Sequence, residues 1–291
     1  VTGYGNGLFG TNDPITREQL ATMLWRYAQS EGYDVSVGES TNILSYTDVA
    51  DLADYAIATM QWAVGAGIIN GTGAGAFAPE RTMTLPDYQT ASGCVDIMMH
   101  TIERYMTRKS EVELTDRIGE ALLKTMVHYG PVAYHEPENY EARAEIMWAS
   151  SLSHNDLTGC GKDYFTINHK LGHELSAVYG TAHGASLSII LPAWMKYVYS
   201  YNIPRFAQFA VRVMGCEYDY ANPENTALAG IQAIENFFRS LDMPVRLSDI
   251  DVPESDIPML ASRVTADGTN TFETYIKLTT KEIEDIFRLA Y

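Results

Sequence analysis

Five side chains that could bind a metal or transfer a proton fall in two short stretches of the sequence. One stretch holds Asp96 and His100, and the other holds His169, His173 and His183. If both stretches are helical, residues four apart share a face, so Asp96 lies one turn from His100 and His169 one turn from His173. Imidazole and carboxylate groups that lie this close together are typical ligands of a divalent metal. The spacing leaves open which of His169 and His173 is a ligand.

Three longer stretches carry a family resemblance. They are 85–96 (LPDYQTASGCVD), 141–152 (EARAEIMWASSL) and 168–184, which contains three of the histidines. Together they resemble the iron-containing, group III alcohol dehydrogenases, and they look most like the butanol-dehydrogenase branch. The resemblance runs from about Leu85 to the C-terminus.

This resemblance implies a site and a mechanism. It makes Asp96, His100, His169 and His183 the metal ligands, and it makes His173 an unligated histidine near the coenzyme and the substrate. The metal would act as a Lewis acid on the oxygen of an alcohol or aldehyde, with hydride exchanged with a nicotinamide. His173 would relay the proton or shape the pocket. Fe²⁺ is the metal expected from the family, and Zn²⁺ also suits a nitrogen and oxygen ligand set.

From Leu85 onward the sequence is typical of helices. Pro86 suits a first helical turn. Amphipathic segments follow at 114–129, 139–154, 164–179, 184–200, 203–215, 223–241 and 279–290. Gly and Pro residues predict the breaks between them, the first at Gly130–Pro131. No strand alternation is convincing, so we predict an all-α bundle of about seven to nine helices.

The first 84 residues differ from the rest, because they contain no Lys, His or Cys. A pattern recurs in this region at an offset of about 68 residues. The recurring residues are Gly5, Gly7, Phe9, Ile15 and Thr16, matched by Gly73, Gly75, Phe77, Met83 and Thr84. The pattern predicts a Gly-rich turn, an aromatic anchor and a Thr that caps a helix beginning at Arg17.

Further motifs of this region are ITRE at 15–18, YTDV at 46–49 and GIING at 67–71, followed by FAP at 77–79. With the repeat, they resemble the S-layer homology module. The resemblance implies a small helical module that docks on cell-wall glycopolymer. Residues 1–84 would hold the tail of one repeat and then a full repeat from about 44 to 84, with an amphipathic helix from Leu52 to Gly65.

The repeat stops at Thr84 and the dehydrogenase pattern begins at Leu85, so we predict two domains, 1–84 and 85–291. Full-length dehydrogenases of this family also carry an α/β domain that binds NAD(P), and we expect that domain to be absent from this chain. The sequence Gly5–Gly10 fits G-x-G-x-x-G, but a dinucleotide site requires a preceding strand and a βαβ unit. The repeat explains these glycines better, as turn residues.

The remaining histidines and cysteines receive ordinary interpretations. We interpret three histidines as surface or capping residues, namely His128, His135 and His154. We interpret three cysteines as reduced, buried thiols, because their spacing is unpaired and their odd number does not suit a disulfide framework. These are Cys94, Cys160 and Cys216.

Charge and hydropathy exclude some partners. The net charge of −17 argues against nucleic acid and against an anionic membrane surface. No apolar run approaches the roughly 20 residues of a membrane-spanning helix.

Two hypotheses of function follow. One is a metal-dependent alcohol dehydrogenase that acts on a small alcohol or aldehyde. The dehydrogenase part would indicate a cytoplasmic location. The other is a non-catalytic cell-wall-binding surface protein, or a fusion fragment, with a metal-binding passenger domain. The sequence leaves open whether the chain forms a homo-oligomer.

Overall fold

The structure is a computed structural model that describes residues 16–30, 32–36, 43, 49, 52–65 and 85–291. The chain divides into two compact units, Val1–Leu85 and Pro86–Tyr291. Several sequence predictions lie outside the described residues: the repeat other than Thr16, the GIING motif, and the G-x-G-x-x-G match.

The described part of the first unit contains two helices that pack on each other. Helix α1 spans Arg17–Ser30, and α2 spans Ile57–Gly65 after a 3₁₀ turn at Asp54–Ala56. Thr16 caps α1, as predicted: its hydroxyl accepts the Gln19 backbone N–H at 3.2 Å, and the Gln19 side chain accepts the Thr16 N–H at 3.0 Å. This reciprocal pair satisfies two N–H groups that the helix leaves unpaired.

The second unit contains nine α-helices, all within the fully described residues 85–291. They are α3 (Asp87–Tyr105), α4 (Glu113–His135), α5 (Tyr140–His154), α6 (Ile167–Tyr179), α7 (His183–Val198), α8 (Ile203–Arg212), α9 (Pro223–Ser240), α10 (Ile257–Val264) and α11 (Thr280–Leu289). A two-stranded antiparallel hairpin, β1 (Phe272–Glu273) with β2 (Lys277–Leu278), lies between α10 and α11. The predicted all-α class is confirmed.

Helix α7 lies in the middle of this unit. It contacts α3, α6, α9 and α11, and 13 of its 16 residues are buried. Its sequence explains the position, because no charged side chain occurs between His183 and Lys196 and a helix that is apolar all round is buried on every side. Among the described residues, no helix is both long enough and apolar enough to cross a membrane.

The predicted break at Gly130–Pro131 is wrong, because α4 continues through Pro131 to His135. A Cβ on Gly130 would lie 3.5 Å from Phe237 and 3.7 Å from Cys94, so this face of the helix is closely packed. Ala133, one turn further on, is fully buried. Packing on this face outweighs the hydrogen bond that Pro131 cannot donate.

The three cysteines are free, but they do not share one environment. Cys94 is buried, Cys216 is half-buried and Cys160 is exposed. The prediction of a buried thiol is therefore wrong for Cys160, which follows a 3₁₀ turn at the surface. Burial raises the pKa of the Cys94 thiol to about 12, so this thiol stays protonated at neutral pH.

We propose that the two domains, 1–84 and 85–291, fold independently. Pro86–Tyr291 has a continuous apolar core of its own, so a chain beginning at Leu85 should show one cooperative thermal transition and helical circular dichroism. A chain beginning at Cys94 serves as the control, because it lacks the buried residues Thr90, Ala91 and Ser92 of α3. A product from Leu85 that melts without cooperativity and binds a hydrophobic dye would contradict independent folding.

Candidate metal centre

Three helices bring the predicted site residues together. Asp96 and His100 lie one turn apart on α3, His169 and His173 lie one turn apart on α6, and His183 is the first residue of α7. The first stretch is helical as predicted, whereas the second is helical on both sides of a break at 180–182, between α6 and α7. Helices α3, α6 and α7 contact one another in all three pairings, so their functional side chains converge.

One oxygen of Asp96 lies at the centre of this cluster. Its Oδ1 is 3.6 Å from Nε2 of His100, 3.4 Å from Nε2 of His169 and 3.3 Å from Nε2 of His183. Donors bound about 2.1 Å from a tetrahedral metal lie about 3.4 Å from one another, so the three distances match the edges of such a site.

Two of these atoms are buried without a hydrogen-bond partner in the protein: Oδ1 of Asp96 and Nε2 of His169. Buried polar atoms nearly always have a partner, so an exception needs an explanation. The two atoms face each other at 3.4 Å, but their alignment is too poor for a normal hydrogen bond. A cation between them would satisfy both, and the residues present therefore fit a divalent metal.

The donors form two groups that share the Asp96 carboxylate. In the inner group, the ligand atoms of Asp96, His169 and His183 all lie within 4.8 Å of one another; in the outer group, those of Asp96, His100 and His154 do so. His100 lies between the groups, because its ring centroid is 4.4 Å from that of His169 and 4.1 Å from that of His154. The structure thus places the three predicted histidine ligands around the Asp96 carboxylate and adds a fourth histidine, His154.

Glu103 holds His169 in place, and the sequence analysis missed it. Its Oε2 lies 2.7 Å from Nδ1 of His169, and its Oε1 accepts the backbone N–H groups of Asn168 at 2.8 Å and of His169 at 3.3 Å. The carboxylate therefore caps the N-terminus of α6, where the helix dipole favours negative charge. With Nδ1 of His169 donating to Glu103, Nε2 is the ring nitrogen left to bind a cation beside Asp96.

Burial and neighbouring charges shift the pKa values of the cluster residues in different directions. Burial lowers the pKa of His100 to about 4, although the Asp96 carboxylate opposes the shift. Burial also disfavours charged His169, but the adjacent carboxylates of Asp96 and Glu103 outweigh it and raise its pKa to about 9. For Asp96, burial acts to raise the pKa, yet the facing imidazoles of His169 and His183 hold it well below its usual range. The cluster therefore stabilises a carboxylate that attracts cations.

His173 lies at the exposed rim of the cluster. Its ring centroid is 5.4 Å from that of His183 and 6.2 Å from that of His169, and it belongs to neither donor group of the described residues. Partial burial and the nearby imidazoles of His183 and His169 lower its pKa. His173 is thus a neutral imidazole beside the centre at neutral pH.

Two glycines set the spacing of the three helices. A Cβ on Gly184 would lie 2.0 Å from the backbone oxygen of Ser92, and the Gly184 N–H donates to the Ser92 hydroxyl at 3.1 Å. A Cβ on Gly172 would lie 2.8 Å from Oγ of Ser186. These contacts fix α7 against α3 and α6, and with it the position of His183.

Glu103→Gln should weaken metal binding about 10- to 100-fold while the chain stays folded. The amide can still accept the two backbone N–H groups, but its NH₂ would donate to Nδ1 of His169 and move the imidazole proton to Nε2. Competition with a chelator measures the affinity. Glu111→Gln, at an exposed carboxylate, is the matched control. An affinity equal to that of the parent would show that Glu103 does not set the tautomer.

Comparison with known proteins gives the class. The family described as Fe-containing alcohol dehydrogenase family, C-terminal, matches residues 90–291, and the S-layer homology domain matches residues 1–21 and 45–85. The chain belongs to the Fe-containing alcohol dehydrogenase family, and residues 90–291 match the C-terminal domain of that family.

Individual proteins that are similar to this chain support the same family assignment. The NADH-dependent butanol dehydrogenase A of Clostridium acetobutylicum is 34% identical over 214 residues, which cover 73% of this chain and 55% of the relative. The NADPH-dependent aldehyde reductase YqhD of Escherichia coli is 37% identical over 190 residues, covering 65% of this chain and 49% of the relative. The substrate- and cofactor-free structure of that reductase matches with a TM-score of 0.68 and 35% identity, over 72% of this chain and 55% of that one. The chain spans about half the length of the curated relatives it matches.

Proposed function

We propose that residues 85–291 form the metal-binding half of an NAD(P)-dependent alcohol or aldehyde oxidoreductase. The observation that carries this proposal is the buried, unpartnered Oδ1 of Asp96 with three imidazole nitrogens 3.3–3.6 Å away. Asp96, His100, His169 and His183 would hold one divalent metal, Fe²⁺ or Zn²⁺. The butanol dehydrogenase and aldehyde reductase relatives support a small alcohol or aldehyde as substrate.

The residues around the centre have separable roles. A bound divalent metal supplies Lewis-acid polarisation of a substrate oxygen. Glu103 orients His169 and fixes its tautomer. His173 is exposed and has a lowered pKa, so near neutral pH it can accept a proton from a substrate hydroxyl through its free ring nitrogen. His183 is 40% exposed, and this side of the cluster is where substrate would enter.

Hydride transfer also needs a nicotinamide beside the centre. Holding the reactants in a near-attack geometry is worth about 7–11 kcal/mol of the barrier. In residues 85–291 the structure has one hairpin, whose two strands have two residues each, and no parallel sheet of the kind that binds a dinucleotide. Residues 1–21 and 45–85 match an S-layer homology domain instead. We therefore expect these 291 residues alone to show no turnover of butanol or butanal near the rate of an intact dehydrogenase.

A chimera tests the proposed function. Residues 85–291 would be joined to the coenzyme-binding half of a butanol dehydrogenase relative, loaded with Fe²⁺ or Zn²⁺, and assayed with butanal and NAD(P)H. We expect metal-dependent turnover in the chimera, and its loss with His183→Ala. A folded chimera that binds both metal and coenzyme yet stays inactive would contradict the proposal. Micromolar coenzyme binding and turnover by the 291 residues alone would instead show that the helical half carries more of the coenzyme site.

The S-layer homology match favours a second role, attachment to cell-wall glycopolymer through residues 1–84. The test is co-sedimentation with isolated cell walls. The full chain should pellet with the walls, and a chain beginning at Leu85 should stay in the supernatant. Equal pelleting of both chains would show that residues 1–84 are not responsible for binding to the cell wall.

A further inference from the structure

His154 carries a feature that the proposed function does not use. It is the last residue of α5 and is exposed, as the sequence indicated. However, its ring centroid lies 4.1 Å from that of His100. Its ligand atom completes the outer group with Asp96 and His100.

The hydrogen bonds of His154 prepare it to bind a cation. Its Nδ1 lies 3.0 Å from the backbone oxygen of Ser150 and 2.7 Å from the hydroxyl of Ser153. A proton on Nδ1 satisfies the carbonyl and leaves the lone pair on Nε2. His169 is arranged in the same way by Glu103. Metal-binding histidines commonly donate their second ring N–H to a backbone carbonyl or a carboxylate.

Arg104 fixes the distance between the two helices that carry the outer group. Its guanidinium donates to the backbone oxygen of His100 at 3.0 Å, to the backbone oxygen of Ser153, and to Oδ1 of Asp156 at 3.0 Å. The end of α5 is thereby tied to α3 next to His100. The outer group is therefore held by its surroundings and does not depend on a chance meeting of surface side chains.

We propose that the outer group, Asp96, His100 and His154, is a second divalent-cation position that alternates with the main centre, in which His100 joins the inner group of Asp96, His169 and His183. The metal enters from solvent at His154 and passes to the inner group. The two positions share the Asp96 carboxylate, so an ion at one leaves at most two unshared imidazoles at the other, and we expect the positions to be filled in turn. The nitrogen and oxygen donors suit Zn²⁺, Co²⁺ and Fe²⁺ alike. This inference rests on the proposed metal centre.

The first test measures Co²⁺ and Zn²⁺ binding at equilibrium. His183→Ala should keep a weaker binding of about one ion per chain, held by the outer group. Adding His154→Ala should weaken this residual binding by a further 10-fold or more. His154→Ala alone should keep the affinity of the parent. His128→Ala, at an exposed histidine of α4, is the control in both backgrounds, and circular dichroism confirms that each variant is folded.

The second test measures metal uptake by stopped-flow spectroscopy with Co²⁺. Metal-free His154→Ala should take up Co²⁺ several-fold more slowly than the parent and His128→Ala, and reach the same final occupancy. The inference is wrong if the double variant binds metal as well as His183→Ala, or if His154→Ala takes up metal at the rate of the parent. Parent-like affinity in His183→Ala would overturn the inner group as well, and with it the proposed function.

Discussion

Asp96→Asn should remove tight metal binding from the chain, with a loss of affinity of more than about 100-fold. Oδ1 of Asp96 lies within 3.3–3.6 Å of three imidazole nitrogens, and Asp96 belongs to both donor groups. Asparagine keeps the shape of the side chain but removes the negative charge that a divalent metal requires. Elemental analysis should give about one metal ion per parent chain and none for the variant, and competition with a chelator should give the affinities.

The matched control for this variant is Asp285→Asn. The Asp285 carboxylate forms an exposed ion pair with Lys281 at 3.7 Å, so its loss should leave metal binding unchanged. His169→Ala and His183→Ala should weaken binding as well. If these two variants and Asp96→Asn all hold the metal as tightly as the parent, the ligand assignment is wrong.

Gly184→Ala should have the largest effect on stability. The added Cβ would lie 2.0 Å from the backbone oxygen of Ser92 and 2.6 Å from its carbonyl carbon. Backbone atoms inside a helix cannot rotate away, so α7 must move from α3. Overpacking costs about 1–3 kcal/mol and occasionally more, and we expect a loss near 3 kcal/mol in the free energy of unfolding. Metal affinity should fall too, because His183 moves with α7. Denaturant titration and metal titration measure the two effects.

Gly93→Ala provides a control of opposite sign. Gly93 lies on the exposed side of α3, and a Cβ there would meet no atom within 4 Å. Alanine in this helix should therefore stabilise the chain by about 0.5–1 kcal/mol. Gly172→Ala should fall between the two, because its closest contact is the movable hydroxyl of Ser186, at 2.8 Å. Equal stability of the Gly184 and Gly93 variants would mean that α3 and α7 do not pack this closely.

Most helices could be predicted from periodicity alone, and the failures share a cause. The sequence pattern located the amphipathic helices because each has a long apolar stripe. It ended α4 at Gly130, since the rule for Pro131 ignores the core that the next turn contacts. It missed α10, which has eight residues, and the hairpin, whose strands have two residues each. Such short elements are fixed by their neighbours more than by their own sequence.

The site was predictable in its residue types and less so in its arrangement. The spacing of Asp96 with His100, and of His169 with His173, indicated donors on helix faces. Family resemblance, and not spacing, selected His169 over His173 as a ligand. Glu103 pairs with a residue 66 positions away, so only its place seven residues after Asp96 on the same helix face could have indicated it. His154 was interpreted as a surface or capping residue because its approach to His100 depends on how α5 packs on α3.

The inner group draws its three donors from α3, α6 and α7, and its first and last members, Asp96 and His183, are 183 − 96 = 87 positions apart. A bound ion is thus a removable cross-link between distant parts of the chain, and the unfolded chain cannot reproduce it. By thermodynamic linkage, metal at about 100 times its dissociation constant adds about 2.7 kcal/mol to the free energy of unfolding. In the proposed centre, loss of the metal would lower the free energy of unfolding by this amount, so molecules without metal would unfold more often and be exposed to proteolysis each time.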